Sequence, residues 1–372
     1  VASANRVGVL FGGPSPEHDI SILTGLQALR ELSNAGLEVT GIYWLKTGDF
    51  VVVPADTEAE AFTGGPPRTS RPALLRVGAR GGFVEPAGRL GREKELSLDA
   101  IVLATHGGPG EDGTLQGALD LAGVRYSGPT VAGAALGMDK WAFGAAAANA
   151  GLPTLPKALL TTTTTALPFD GPYILKPRFG GSSIGIDVVG DLSTALARLR
   201  TNEHLGRGCV VEPYRADLTD VQIALRSYPA LELSAIERPL RRTSGAEILD
   251  YRDKYVGGEG MVSAPRELPA QLAPAVAEAI CSHARTVAAI ADVRGVARID
   301  FLMGDDELYV NEINTIPGSL SKYLFVDPPL SFRSLLEGLL HEAIERPSHS
   351  YSSTGADGLV LRSASSIAAK LA

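Results

Sequence analysis

The stretch Val296–Gly318, VARIDFLMGDDELYVNEINTIPG, decides how the rest of the chain is read. Val296–Met303 is built around β-branched and aromatic residues, Gly304–Glu307 is a polar turn, and Leu308–Ile313 returns as a second strand, so the stretch reads as a hairpin. Side chains two apart on a strand share a face. Arg298 and Asp300 therefore share one on the first strand, and Glu312 and Asn314 share one on the second. A turn centred near Asp305–Asp306 sets Asp300 opposite the region of Glu312. Two carboxylates, an amide and a guanidinium then gather at the end of a sheet. A few hard oxygen donors, with room for phosphate, suit Mg²⁺ better than Ca²⁺. A solvent-facing polar strand face is the alternative for these residues taken alone. The TIPG after Asn314 is a tight stop, as expected where backbone turns close to a ligand.

The 372 residues are too many for one compact core, so two or three domains are expected. Hydrophobic residues make up 45% and charged residues 20%, a globular balance. A net charge of −8 argues against nonspecific nucleic-acid binding, although a local basic patch could hold phosphates. Cys209 and Cys281 are far apart and outside any metal-ligand spacing, so no disulfide framework is expected and a reducing cytoplasm fits. The first residues run into a strand without a signal-peptide pattern, and no apolar run is long enough to span a bilayer; no membrane partner is expected.

From the start, the strand Arg6–Phe11, the turn Gly12–Gly13 and a helical pattern over Ser21–Leu32 open a doubly wound α/β unit. No GxGxxG is present, so dinucleotide binding is not supported. Ala55–Gly91 reads as loops and short strands. The buried-type strand Ala100–Thr105 runs into His106–Thr114, a glycine-rich loop at the strand end where α/β sheets bind ligands. Ala132–Ala150 reads as one alanine-rich helix, and Leu152–Pro156 as a linker. Strand Tyr173–Pro177, loop Arg178–Gly185, strand Ile186–Val189, helix Leu192–Leu199 and strand Gly208–Glu212 make a small α+β lid. Two strands over Val221–Leu233, a long polar loop Gly245–Pro265 and the helix Leu272–Ile290 lead to the hairpin, followed by the helix Ser331–Ile344. The expected division is an N-terminal α/β domain over 1–130, the lid over 131–213, a larger α+β domain with the metal site over 214–347, and a Ser/Ala-rich tail over 348–372 with one amphipathic turn.

Lys140 and Lys176 flank the Gly180–Gly185 loop. Glycines let backbone approach phosphates and lysines neutralise them. The loop is not GxxxxGK[ST], and a simple hairpin turn is the alternative. Together with the acidic hairpin, however, it describes a nucleotide held between a small lid and a carboxylate-bearing domain.

The chain resembles the D-alanine–D-alanine ligase family of the ATP-grasp superfamily over nearly all of Val7–Ile344. The motifs come in the family's order: FGGPSPEHDIS at Phe11–Ser21, HGGPGEDGTLQG at His106–Gly117, MDKW at Met138–Trp141, KPRFGGSSIG at Lys176–Gly185, DKY ending at Tyr255, RID at Arg298–Asp300 and NEINTIPG at Asn311–Gly318. The resemblance implies an ATP-grasp fold and ATP-dependent joining of two amino acids through an acyl phosphate, for peptidoglycan in the simplest case. It implies Asp300, Glu312 and Asn314 as ligands of two Mg²⁺, or Mn²⁺. It places Lys140, Lys176 and Ser183 at ATP, Glu212 and Tyr214 at the adenine, Asp220 at the ribose and Lys254 at the γ-phosphate. Glu17 would receive the first substrate's ammonium and form a hydrogen-bonded triad with Ser182 and Tyr255. Arg298 and the Gly318 backbone would stabilise the oxyanion, and His106 would lie near the first substrate's carboxylate. A homodimer in the cytoplasm is also implied.

Ser319–Phe325, SLSKYLF, departs from the family: Tyr323 falls where a substrate-binding serine is expected, next to Leu324, and Lys322 adds a cation. The second substrate is therefore expected to differ, and a ligase joining other amino acids is the second reading. A nucleotide-binding regulatory protein without turnover is the third; the complete Asp300, Glu312 and Asn314 set speaks against it. Glu111 and Asp112 read as cap or turn residues, His18 as structural, and His204, His283 and His341 as surface or helix-face residues.

Overall fold

Three sheets carry the fold of the computed structural model, which describes residues 5–88, 91–240, 265–346, 352–364 and 366–371. The first has seven strands: β1 (Arg6–Gly12), β2 (Glu38–Trp44), β3 (Phe50–Val53), β4 (Arg71–Arg76), β5 (Gly82–Glu85), β6 (Lys94–Glu95) and β7 (Ala100–Leu103). Their order is β6-β5-β4-β3-β2-β1-β7. β1 runs parallel to both β2 and β7, and the remaining pairs are antiparallel. β1 and β7 are buried apolar runs, the pattern of strands covered on both faces. Helix α1 (His18–Asn34) joins β1 to β2 and buries Ile22, Ala28, Leu29 and Leu32 on one stripe. The parallel neighbours of β1 lie on opposite sides of it, so the loops leaving β1 and β7 diverge into a crevice.

Helix α2 (Thr114–Leu121) follows the β7 loop. The single helix expected over Ala132–Ala150 is two: α3 (Val131–Met138) and α4 (Lys140–Asn149). Asp139 breaks them. It adopts extended backbone, and its side chain caps α4 by accepting from the Trp141 and Ala142 N–H groups. A continuous alanine pattern hides such a break, because both helices keep the same composition.

The second sheet is antiparallel, with β8 (Ala158–Leu160), β9 (Tyr173–Pro177), β10 (Asp187–Val189) and β11 (Cys209–Pro213) in the order β10-β9-β11-β8. Helix α5 (Leu192–Thr201), capped by Asp191, packs its Ala195 into this small core. The third sheet contains β12 (Thr219–Arg226), β13 (Glu232–Pro239), β14 (Arg266–Glu267), β15 (Val296–Met303) and β16 (Leu308–Asn314), in the order β14-β13-β12-β15-β16. Helix α6 (Pro274–Ile290) buries Ile280, Ala284 and Val287 against Ile223, Ile299 and Val310.

Helix α7 (Phe332–Glu345), capped by Ser331, returns to the first sheet. Its Leu335, Leu336, Leu339 and Leu340, together with Ile316, Leu320 and Leu324, share a core with Val9, Leu29 and Leu103. The turn after β16 is therefore anchored in the first sheet's core. Two short helices, α8 (Leu359–Ser363) and α9 (Ile367–Leu371), stand in the tail where one amphipathic turn was expected. Cys209 and Cys281 form no disulfide. Among the described residues, no helix is long and apolar enough to cross a membrane.

Candidate active site

The β15–β16 hairpin sets Asp300 opposite Glu312 and Arg298 opposite Asn314. Counted from Phe301 opposite Val310, plain alternation would put Asn311 opposite Asp300; a bulge brings Glu312 there instead. Arg298 grips Asp300 with two hydrogen bonds, Nε to Oδ1 at 2.6 Å and Nη2 to Oδ2 at 2.7 Å. Asn314 Nδ2 donates to Asp300 Oδ2 at 3.1 Å. Lys140, the first residue of α4, reaches Glu312 Oε2 at 2.8 Å and donates to the Gly180 carbonyl at 2.6 Å. Burial works to lower the Lys140 pKa, but Glu312, with Glu17 and Glu212 further off, raises it above the ordinary value. The register shifts between Asp300 and Phe301, leaving Asn311 as an extra residue of β16. The bulge lets Glu312 face Asp300 and turns the Asn311 side chain to the same cavity.

That side chain joins a second cluster. Lys176 of β9 donates to Glu212 Oε2 at 2.6 Å and to Asn311 Oδ1 at 3.0 Å. Lys157 donates to the other oxygen of the same carboxylate. Glu212 is buried, which alone would raise its pKa, but the two lysines hold it down at about 2. Lys176, Glu212, Tyr214, Ser183, Asp220 and Asn311 border one cavity between the second and third sheets, with Ile174 and Leu302 as apolar walls. A cleft floored by lysines with apolar sides suits a phosphate tail and a flat base.

Across from Glu312 the two glycine-rich loops meet. Glu17, just before α1, accepts a hydrogen bond from the Ser182 hydroxyl. Its carboxylate is wedged between two glycines. A Cβ on Gly181 would lie 2.8 Å from Glu17 Oε2, and one on Gly107, where φ is +65°, would also collide with that oxygen. Glu17, Ser182, Lys140, Arg298, Asp300 and Gly318 line a single cleft.

His106, which also lines this cleft, is buried and both ring nitrogens are engaged. Nδ1 donates to the Ile316 carbonyl at 2.7 Å, and Nε2 accepts from the Thr24 hydroxyl at 2.8 Å, whose oxygen accepts from Ser319 N–H at 3.0 Å. Burial lowers its pKa to about 4. A ring with both nitrogens occupied positions the 316–319 turn from the wall of the cleft. Glu111 does the same work from the other side. Its carboxylate accepts from Gly107 N–H and Ile316 N–H, each at 2.9 Å, and from the Thr315 hydroxyl at 3.2 Å. Burial pushes its pKa up to about 7. It is more than the expected cap or turn residue, whereas Asp112, which accepts from Thr114 N–H, is a turn residue.

These two shifts oppose each other. The unfolded chain binds the extra proton at His106 between its ordinary 6.5 and about 4, so stability falls as pH falls through that window. The folded chain binds it at Glu111 between 4.5 and about 7, so stability falls as pH rises through that window. Each amounts to roughly 3 kcal/mol across its window. We expect a nearly flat stability profile for the native chain over pH 4.5–6.5 as far as these groups decide it. His106→Gln should become less stable as pH rises, and Glu111→Gln less stable as pH falls. Urea midpoints at the two pH values measure this; parallel profiles for both variants would contradict it.

Of the other expected residues, Lys254 and Tyr255 lie outside the described residues. Leu324 is fully buried in the first core and does not line the cleft. Lys322 Nζ sits 4.5 Å above the Phe332 ring rather than in the acceptor region, while Tyr323 does line the cleft. Glu212, expected at the adenine, borders that cavity with its carboxylate taken by lysines. His18 is structural as read: Nδ1 lies 2.6 Å from the Gly13 carbonyl and Nε2 2.9 Å from the Tyr43 hydroxyl. Lys157, Asn311, Glu237 and Arg266 were not anticipated. Nothing in the sequence near Lys157 or Arg266 marks them.

The hairpin donors fit a divalent metal carried on phosphate. Among the described residues, no cluster of three or more His, Cys, Asp and Glu side chains could hold a metal. Asp300, Glu312 and Asn314 supply two carboxylates and one amide, leaving coordination positions for phosphate oxygens and water, as Mg²⁺ prefers.

Profiles of the D-ala D-ala ligase N-terminus and C-terminus match residues 6–129 and 147–341. The chain belongs to the D-alanine–D-alanine ligase family. It is a ligase of that family, whose members use ATP and a divalent metal. It is 31% identical to the D-alanine–D-alanine ligase of Bradyrhizobium sp. (strain ORS 278), over 92% of this chain and 95% of the relative. It is likewise 31% identical to that of Mycolicibacterium gilvum (strain PYR-GCK), over 92% and 97%. The crystal structure of D-alanine–D-alanine ligase from Helicobacter pylori superposes with a TM-score of 0.72 at 25% identity, over 93% of this chain and 99% of that one. D-alanyl-alanine synthetase A from Vibrio cholerae, at 20% identity and a TM-score of 0.77 over 92% and 99%, shares the fold. These likenesses bear out the ATP-grasp fold class expected from the sequence.

Proposed function

We propose that this ligase joins two molecules of D-alanine at the expense of ATP, and that the site residues act as follows. The observation that carries this reading is the in-register pair Asp300 and Glu312, faced by Lys140 and by the Glu17–Ser182 contact across one cleft. Lys140 and Lys176 hold the ATP phosphates, Ser183 and Tyr214 border the nucleotide, and Asp220 takes the ribose. Two Mg²⁺ held by Asp300, Glu312 and Asn314 would neutralise charge on the phosphates being transferred. Glu17 receives the ammonium of the first D-alanine. That substrate's carboxylate attacks the γ-phosphorus, giving an acyl phosphate and ADP. The amine of the second D-alanine attacks the acyl carbon, Arg298 and the Gly318 N–H stabilise the oxyanion, and phosphate leaves. No covalent enzyme intermediate is needed; the residues position and neutralise. Lys254 at the γ-phosphate and Tyr255 with Glu17 and Ser182 complete the set of roles in this reading.

The division into an α/β domain over 1–130, a lid over 131–213, a metal-bearing domain over 214–347 and a tail belongs to the same proposal. One refinement follows from the shared core: α7 supports the first sheet. A cytoplasmic homodimer supplying peptidoglycan synthesis is the setting that family membership supports. The second reading, a ligase with another acceptor, is favoured by Tyr323 at the cleft. Incubation with ATP, Mg²⁺ and a panel of D- and L-amino acids decides between them. We expect ADP release with D-alanine and the mass of D-alanyl-D-alanine; a different dipeptide would support the second reading, and ADP release with no peptide would refute both.

A further inference from the structure

One row of side chains crosses the third sheet. Glu312 pairs with Asp300, Asp300 with Gln222, and Gln222 with Glu237, each on the neighbouring strand. Adjacent strands are about 4.8 Å apart, so Glu237 stands roughly 14 Å from the metal-binding end. Glu237 is buried and accepts from Gln222 Nε2. It ion-pairs at 2.9 Å with Nη1 of Arg266, whose side chain is only 14% exposed. The Arg266 guanidinium lies 4.7 Å from the centre of the Tyr323 ring. Glu237, Arg266 and Tyr323 line the same cleft as Arg298 and Gly318. A cation is thus fixed on two sides, by a carboxylate and by an aromatic face, at the end of the cleft away from Glu312.

Resting on the ligase reading above, we infer that Arg266 binds the carboxylate of the acceptor amino acid, with Glu237 and Tyr323 as its positioning residues. The guanidinium carries five N–H donors in one plane, so it serves two carboxylates from different edges while its face stacks on a ring. The acceptor then enters with its amine toward Arg298 and Gly318 and its carboxylate toward Arg266. Tyr323 takes the place of a hydroxyl donor not by hydrogen bonding the substrate but by holding the cation that does. The acceptor is an α-amino acid with a small side chain, because the stacked ring occupies the cleft wall.

A competition between two acceptors tests this. D-alaninamide has an amine and no carboxylate, so it accepts but cannot be activated. With D-alanine as donor and both as acceptors, the mass ratio of dipeptide to dipeptide amide is independent of enzyme amount and of the fraction folded. The native chain should favour the dipeptide by roughly 10–100-fold, the value of a charge-assisted contact. Arg266→Ala should bring the ratio close to unity. Arg266→Lys, which keeps the charge, and Tyr323→Leu, which keeps the arginine but removes its stack, should fall between. An unchanged ratio in every variant that turns over would overturn the assignment. Absence of both products from the native chain would overturn the ligase reading and this assignment with it.

Discussion

Glu312→Ala should lose about 10³-fold in ADP release, some 4 kcal/mol of transition-state stabilisation, while the chain stays folded. Glu312 stands in register with Asp300, shares a strand face with Asn314, and meets Lys140 at 2.8 Å. Its removal takes away one of the two carboxylates that the proposed function places at the metal and phosphates. The apolar residues of β16, Val310 and Ile313, are untouched and keep the core. Glu312→Gln conserves volume and should be nearly as inactive, which separates charge from packing. Steady-state ADP release with circular dichroism on the same samples measures both quantities. Near-normal turnover from a folded variant would contradict the assignment of Glu312.

The second large effect is on stability. Glu212→Leu should destabilise the chain by about 3–5 kcal/mol, because it leaves two buried ammonium groups without their shared carboxylate. Lys157 and Lys176 are each 8% exposed, and Glu212 is 1% exposed. Lys157→Met placed in the Glu212→Leu background should recover part of that loss by removing one orphaned charge. Urea unfolding of the three chains measures it. A loss under about 1 kcal/mol, the range of exposed ion pairs, would mean that the trio is solvated in solution.

The contrast between these two clusters explains what the sequence could reveal. Arg298 with Asp300, and Glu312 with Asn314, were legible as same-face pairs because a strand obeys a period of two, whereas the meeting of Asp300 with Glu312 depends on the bulge at Asn311. The helices α1, α6 and α7 were legible from their apolar stripes. Lys157 and Glu212 are 55 residues apart, joined only when β8 pairs with β11. No local pattern encodes that meeting. Asn311 was missed because the bulge that redirects it follows from the pairing, not from composition. His106 and Glu111 were seen as part of a glycine-rich loop, but their partners Thr24, Thr315 and Ile316 come from distant segments. The three residues Ser319, Leu320 and Ser321, all at φ 49°, have no glycine to announce them. Such a left-handed run is strained and holds its shape only because Leu320 is locked in the first core and Ser319 N–H is tied to Thr24.

The acyl phosphate is the central claim, and the fate of one oxygen tests it. D-alanine labelled with ¹⁸O in its carboxylate is incubated with ATP, Mg²⁺ and the protein, and the released inorganic phosphate is analysed by mass. Attack of the carboxylate on the γ-phosphorus transfers one labelled oxygen to phosphate for each dipeptide formed, with ADP as the nucleotide product. Unlabelled phosphate, or label recovered in AMP, would contradict the account.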